Sequence, residues 1–107
     1  MRLLILLLAF AAAGAAQARG NAASGKAKAE QVCSACHGPD GNKPSAPDQP
    51  VLAGQHYDYL VRALSDYKAG HRNNAIMKAF AGQLTKQEME DLAAWFSIQP
   101  SNLHFQR

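Results

Sequence analysis

The sequence CSACH at residues 33–37 constrains the fold of this 107-residue chain more than any other feature, because it contains the only two cysteines. On a helix, residues three and four apart lie one above the other on the same face. Ala29 and Val32 continue this spacing toward the N-terminus, which predicts a helix over residues 24–36. Both thiols, and the imidazole of His37, are therefore expected to project to one side of that helix.

Cys-x-x-Cys-His is the attachment signature of c-type haem, in which both sulfurs form thioethers with the vinyl groups and the imidazole ligates iron. We therefore predict one haem c, attached through Cys33 and Cys36 and ligated by His37.

Three other uses of a cysteine pair are possible. A redox-active disulfide belongs after a strand in a βαβ unit, and no segment of this chain alternates like a strand. A zinc site needs a fourth ligand, whereas His56, His71 and His104 stand singly. A plain structural disulfide is the simplest alternative in an oxidising compartment.

The start of the chain has the features of a secretory leader. Met1 and Arg2 precede an apolar run, and Ala-Gln-Ala at 16–18 fits the small-x-small rule for cleavage. The run is shorter than the roughly 20 apolar residues that cross a bilayer. We therefore expect residues 1–18 to be a cleaved signal peptide, with no stable membrane insertion afterwards.

The mature chain, residues 19–107, is small enough that its core needs help from a disulfide, a metal or a cofactor. After removal of Arg2 with the leader, the mature chain has ten Lys and Arg side chains and eight Asp and Glu side chains, which gives a net charge of +2. This charge is weak and scattered, so nucleic acid is not an expected partner. We expect a short N-terminal arm at 19–24 followed by one domain at 25–107.

The remaining elements are predicted to be helices around one long loop. Four of the five prolines and three glycines fall in residues 37–55, which indicates an ordered loop without regular structure. Apolar spacing predicts a helix over 57–69, and Thr85 with Glu88 forms a capping box that starts another. Between them, at most a turn or two of helix is expected around 76–80. The predicted fold class is all-α, with three main helices and an underfilled core.

The chain resembles the small class I c-type cytochromes of bacteria. The similarity covers almost the whole mature length, in GKAKAEQVCSACHGPDGN, PVLAGQ, YLVRALSDYKAG, AIMKAFAGQLT and DLAAWF. The chain looks like a single-haem relative of one lobe of the two-haem proteins in this class. The resemblance implies a class I cytochrome c fold of three to four helices around one haem, which shuttles electrons between redox partner proteins without catalysis.

The second axial ligand of the iron is expected to be Met77. Met1 leaves with the leader, and Met89 lies on the apolar face of the last helix, where packing explains it. Met77 falls in a poorly periodic stretch, where a loop can aim its side chain. The family's axial methionine likewise precedes the last helix. The alternative is that His56 or His71 ligates the iron opposite His37. A methionine ligand raises the reduction potential relative to such a pair of imidazoles.

A ligating imidazole usually donates its other N–H to a carbonyl, and the proline carbonyls of the loop are candidates. The family's Pro-x-Leu matches residues 50–52, which assigns this role to Pro50 and makes Pro47 the second choice. Arg72 either pairs with a haem propionate, because a guanidinium suits a carboxylate, or is solvated.

Two axial ligands would leave no coordination site for a substrate, and no nucleophile with a base or phosphate loop is evident. We predict a soluble, monomeric, periplasmic one-electron carrier that is not an enzyme. The alternative is a dedicated cytochrome c subunit of a periplasmic dehydrogenase or oxidase. A gas sensor or peroxidase would require an open axial site.

Overall fold

The computed structural model describes residues 19–101, so the predicted signal peptide at 1–18 and His104 lie outside the described residues. Within 19–101 the regular secondary structure is entirely helical, which confirms the predicted all-α class. No helix in this range is long and apolar enough to cross a membrane. The helices are α1 (Ala22–Val32), α2 (Ser34–His37), α3 (Tyr57–Ala69), α4 (Ala75–Gly82) and α5 (Lys86–Ser97).

The first helix begins two residues earlier than predicted and is interrupted once. Its N-cap is Asn21, whose side chain accepts a hydrogen bond from the Ser24 N–H at 2.9 Å, so residues 22–24 of the expected arm are helical. The interruption is at Cys33, but the His37 N–H still donates to the Cys33 carbonyl at 3.0 Å. Counted as one interrupted helix, α1 and α2 bring the described helices to four.

Helix α5 packs against α1 and α3, and this packing forms the core. Leu92, at the centre of α5, is 1% exposed, and Met89 packs beside it at 5%, as its position on the apolar face predicts. The buried cluster comprises Ala29, Leu60, Leu84, Met89, Leu92, Ala93 and Phe96.

Helix α1 and its N-cap are held against α5 by close backbone contact and by one buried carboxylate. A Cβ atom on Gly25 would lie 1.9 Å from the Asp91 carbonyl oxygen, so only glycine permits this approach. The Asp91 side chain accepts hydrogen bonds from the Asn21 N–H at 2.7 Å and from Gln87 Nε2 at 2.8 Å. The carboxylate is therefore buried but satisfied.

The capping box at the start of α5 is confirmed. Thr85 Oγ1 accepts from the Glu88 N–H, and Glu88 Oε1 accepts from the Thr85 N–H, both at 3.1 Å.

Thr85→Ala removes the first of these bonds, so we expect the free energy of unfolding to fall by about 1 kcal/mol in urea titrations. Ser97→Ala is the control, because its hydroxyl only contacts the Ala94 carbonyl of its own helix. Equal losses in the two variants would contradict the capping role.

Helix α4 has eight residues, about two turns, and extends slightly beyond residues 76–80, where the sequence predicted at most a turn or two. Its N-cap is Asn74, whose Oδ1 accepts a hydrogen bond from the Met77 N–H at 3.0 Å. An asparagine before an apolar stretch is a helix-start signal, and the sequence analysis missed it. Helix α4 packs against α3, and between these helices, α2 and the long loop lies a cleft.

Candidate haem-binding site

The cleft contains about 1220 Å³ of space, including its open mouth. Its walls come from α2, the loop at 48–55, α3 and α4. It brings together all five predicted site residues, namely Cys33, Cys36, His37, Pro50 and Met77.

His37 is held in one orientation by the long loop. The imidazole is only 6% exposed, and its Nδ1 lies 3.0 Å from the Pro50 carbonyl oxygen. Because a carbonyl can only accept, Nδ1 carries the proton and Nε2 keeps a lone pair that can ligate a metal. Pro47, the second choice for this acceptor, lines a separate surface pocket.

The two cysteines are free and half-buried, and both line the cleft. Burial raises the pKa of the Cys33 thiol to about 11. Redox-active cysteine pairs instead have a lowered pKa, which makes the thiolate the reactive form at neutral pH. The buried Cys33 thiol therefore lacks the lowered pKa of a redox-active pair.

Met77 reaches the cleft from the first turn of α4. The prediction that loop geometry aims this side chain was wrong, because Met77 is the third residue of a capped helix. Met89 is buried in the core and does not line the cleft. His56, the N-cap of α3, and His71, whose side chain is 76% exposed near Asp66, are at the surface and do not line the cleft either.

The walls of the cleft are strongly apolar. Of the four exposed large apolar side chains in the described part of the chain, three line it: Tyr59, Ile76 and Phe80, at 50%, 68% and 43% exposure. Leu52 and Leu60 also face the cleft, whereas Leu64 and Trp95 pack against the core. A largely apolar molecule in the cleft would cover this surface.

These donors fit a haem better than a bare metal ion. Within residues 19–101, no group of three or more His, Cys, Asp or Glu side chains is placed to hold a metal ion. The cleft instead offers two thiols, one imidazole nitrogen from α2 and one thioether from α4. These are the groups that attach a c-type haem and fill its two axial positions.

The sequence pattern of the family described as Cytochrome c matches residues 22–97. This chain belongs to the cytochrome c family. The cytochrome is 46% identical over 97 residues to cytochrome c4 of Pseudomonas aeruginosa, which covers 91% of this chain and 47% of that protein. It is 40% identical over 83 residues to cytochrome c-554(548) of Halomonas halodenitrificans, covering 75% of this chain and 98% of that protein.

Comparison of structures gives the same family. The crystal structure of reduced recombinant cytochrome c4 from Pseudomonas stutzeri aligns with a TM-score of 0.72 and 41% identity, over 78% of this cytochrome and 48% of that chain. This cytochrome therefore spans about half the length of the cytochrome c4 proteins that it matches, which corresponds to one lobe. The class I fold and one covalently attached haem c are confirmed for this chain.

Proposed function

We propose that this cytochrome is a periplasmic one-electron carrier, exported with removal of residues 1–18, whose haem iron is ligated by His37 and Met77. The observation that carries the proposal is the placement of His37 and Met77 in one cleft, with His37 Nδ1 donating to the Pro50 carbonyl. This bond leaves Nε2 unprotonated and fixes the ring, as an axial ligand requires.

The bound haem supplies a one-electron couple between ferrous and ferric iron. The Pro50 carbonyl keeps the imidazole of His37 in one tautomer and one orientation. The thioether of Met77 would be a neutral, soft ligand of the iron, and such a ligand favours the ferrous form. With haem bound, the apolar side chains of α3 and α4 would shield it from water, which would also favour the less charged state. If His37 and Met77 both held the iron, no coordination site would be open to a substrate, and we therefore infer that the protein is not an enzyme.

A potentiometric titration with carbon monoxide as a probe tests this function. We expect one reversible one-electron transition, and no carbon monoxide binding to the reduced protein at neutral pH, because Met77 would hold the iron where carbon monoxide would otherwise bind. The Met77→Ala variant is the positive control and should bind carbon monoxide. Rapid binding by the unmodified protein would place it instead among haem sensors or peroxidases.

We propose that the cytochrome is a free, monomeric carrier that docks briefly with donor and acceptor proteins. Transient redox interfaces are small, below about 1,200 Å², and dissociate readily. We expect the purified protein to elute as a monomer in gel filtration at low and at high salt. Stable co-purification with a larger catalytic chain at high salt would instead identify a dedicated subunit of a dehydrogenase or oxidase.

A further inference from the structure

The loop segment that carries Pro50 has few backbone donors of its own. Three of the seven residues from 44 to 50 are prolines, which have no backbone N–H. A segment without regular structure is held in one place only by hydrogen bonds to other groups. The Pro50 carbonyl oxygen nevertheless lies 3.0 Å from His37 Nδ1. A further contact must therefore hold this segment in position.

The side chain of Gln49 supplies that contact. Its Oε1 accepts hydrogen bonds from the N–H and the hydroxyl of Ser45, both at 2.9 Å, and from the Ala46 N–H at 3.1 Å. The Gln49 N–H donates in turn to the Ala46 carbonyl at 3.1 Å. Because a backbone N–H can only donate, the carboxamide must present its oxygen to the turn. One side chain thus closes residues 45–49 into a turn, and we call these contacts the Gln49 brace.

The braced turn is bonded to the CSACH segment at both ends. At its start, the Ser45 N–H also donates to the Cys36 carbonyl at 2.9 Å. At its end, the residue that follows Gln49 is Pro50, whose carbonyl lies against His37 Nδ1. The brace therefore fixes the separation of two points that both contact the haem-attachment motif. Opening the turn would move the Pro50 carbonyl relative to the imidazole.

The hydrogen bond at Nδ1 of His37 affects the iron through the ring. A carbonyl that accepts from Nδ1 makes the imidazole more basic, so Nε2 becomes a stronger donor to a metal. A stronger donor favours ferric over ferrous iron, because ferric iron carries one more positive charge. A longer bond to Pro50 would leave a weaker donor and a higher reduction potential.

We propose that Gln49 is a positioning residue for the axial histidine, and that its carboxamide oxygen holds the Pro50 carbonyl against His37 Nδ1 and so lowers the reduction potential. The inference rests on the proposed function, because it requires haem iron on His37. Gln49 is half-buried and lines the cleft. It is not a ligand of the iron and acts only through Pro50.

The test compares Gln49→Met with Gln99→Met. Methionine keeps the length of the side chain and removes the acceptor. Gln99 also uses its carboxamide, because its Nε2 donates to the Trp95 carbonyl at 2.9 Å, but it does not line the cleft. In NMR spectra of the reduced, haem-loaded protein, we expect the His37 Nδ1 proton to exchange with solvent about tenfold faster in Gln49→Met. In Gln99→Met the rate should change by less than about twofold.

The reduction potential is the second readout. At a fixed electrode potential, Gln49→Met should shift the ferric to ferrous ratio about threefold toward ferrous, equivalent to about 28 mV at 59 mV per tenfold change for one electron. Gln99→Met should leave the ratio unchanged. A role in stability alone would lower the free energy of unfolding in both variants and move neither readout.

Two further variants isolate the acceptor. Gln49→Glu keeps an oxygen facing the turn, so its Nδ1 proton should exchange at nearly the rate of the unmodified protein. Ser45→Ala removes only the hydroxyl donor and should speed exchange about threefold. It tests the brace even where Gln49→Met fails to take up haem.

Three results would overturn this proposal. They are equal exchange rates in Gln49→Met and Gln99→Met, a reduction potential that stays or falls in Gln49→Met, and exchange in Gln49→Glu as fast as in Gln49→Met. In each case, an intact reversible couple in the unmodified protein leaves the proposed function standing. Loss of that couple in the unmodified protein would refute the proposed function instead.

Discussion

Met77→Ala is expected to abolish the weak far-red absorption band that oxidised haem shows when a methionine sulfur is its sixth ligand. The substitution removes the only methionine that lines the cleft among residues 19–101. The reduction potential should fall, because water or a nitrogen ligand favours ferrous iron less than a thioether does. Optical spectra of the oxidised protein and a potentiometric titration measure the two effects.

Met89→Ala is the matched control for this ligand. Met89 is 5% exposed in the core beside Leu92, and does not line the cleft. We expect the far-red band to persist while the free energy of unfolding falls by about 2 to 5 kcal/mol, as for other buried truncations to alanine. A far-red band that survives in Met77→Ala would reject Met77 as the ligand.

Gly25→Ala is expected to have the largest effect on the fold. The Cβ atom of the new alanine would lie 1.9 Å from the Asp91 carbonyl oxygen and 3.0 Å from the Cβ of Trp95. Neither backbone can yield without separating α1 from α5, which also strains the hydrogen bond from Asn21 to the Asp91 carboxylate. We expect unfolding to become easier by about 3 kcal/mol or more, measured by urea titration of the haem-loaded protein.

Gly82→Ala provides the control for glycine replacement. Gly82 is the last residue of α4, and a Cβ there would meet nothing within 4 Å. Because alanine favours helix over glycine by up to about 1 kcal/mol, this variant should be unchanged or slightly more stable. A Gly25→Ala protein as stable as Gly82→Ala would contradict the close crossing of α1 and α5.

The features of the fold and of the site that the sequence predicted are those set by residues close together in the chain. The cysteine pair and histidine share a short motif, and the capping box at Thr85 and Glu88 depends on two residues three apart. Helix α3 was predicted with its observed bounds, because apolar spacing and Gly70 both act within the segment itself.

The features that the sequence did not predict depend on capping or on distant contacts. Loop geometry was expected to aim Met77, because the analysis overlooked Asn74 as the N-cap of α4. The close approach of Gly25 to Asp91 joins residues far apart in the chain, so no local pattern indicates it. The same is true of Arg72 and Tyr59, which meet only because the turn after α3 folds back along that helix.

Intact-mass spectrometry of the protein, expressed with its leader in cells that mature c-type cytochromes, tests the central claim most directly. The account predicts the mass of residues 19–107 plus one haem, in protein from which acidic acetone extracts no pigment. Replacing Cys33 and Cys36 with alanine should remove that added mass. A folded, exported protein with two unmodified thiols and no pigment would contradict the account.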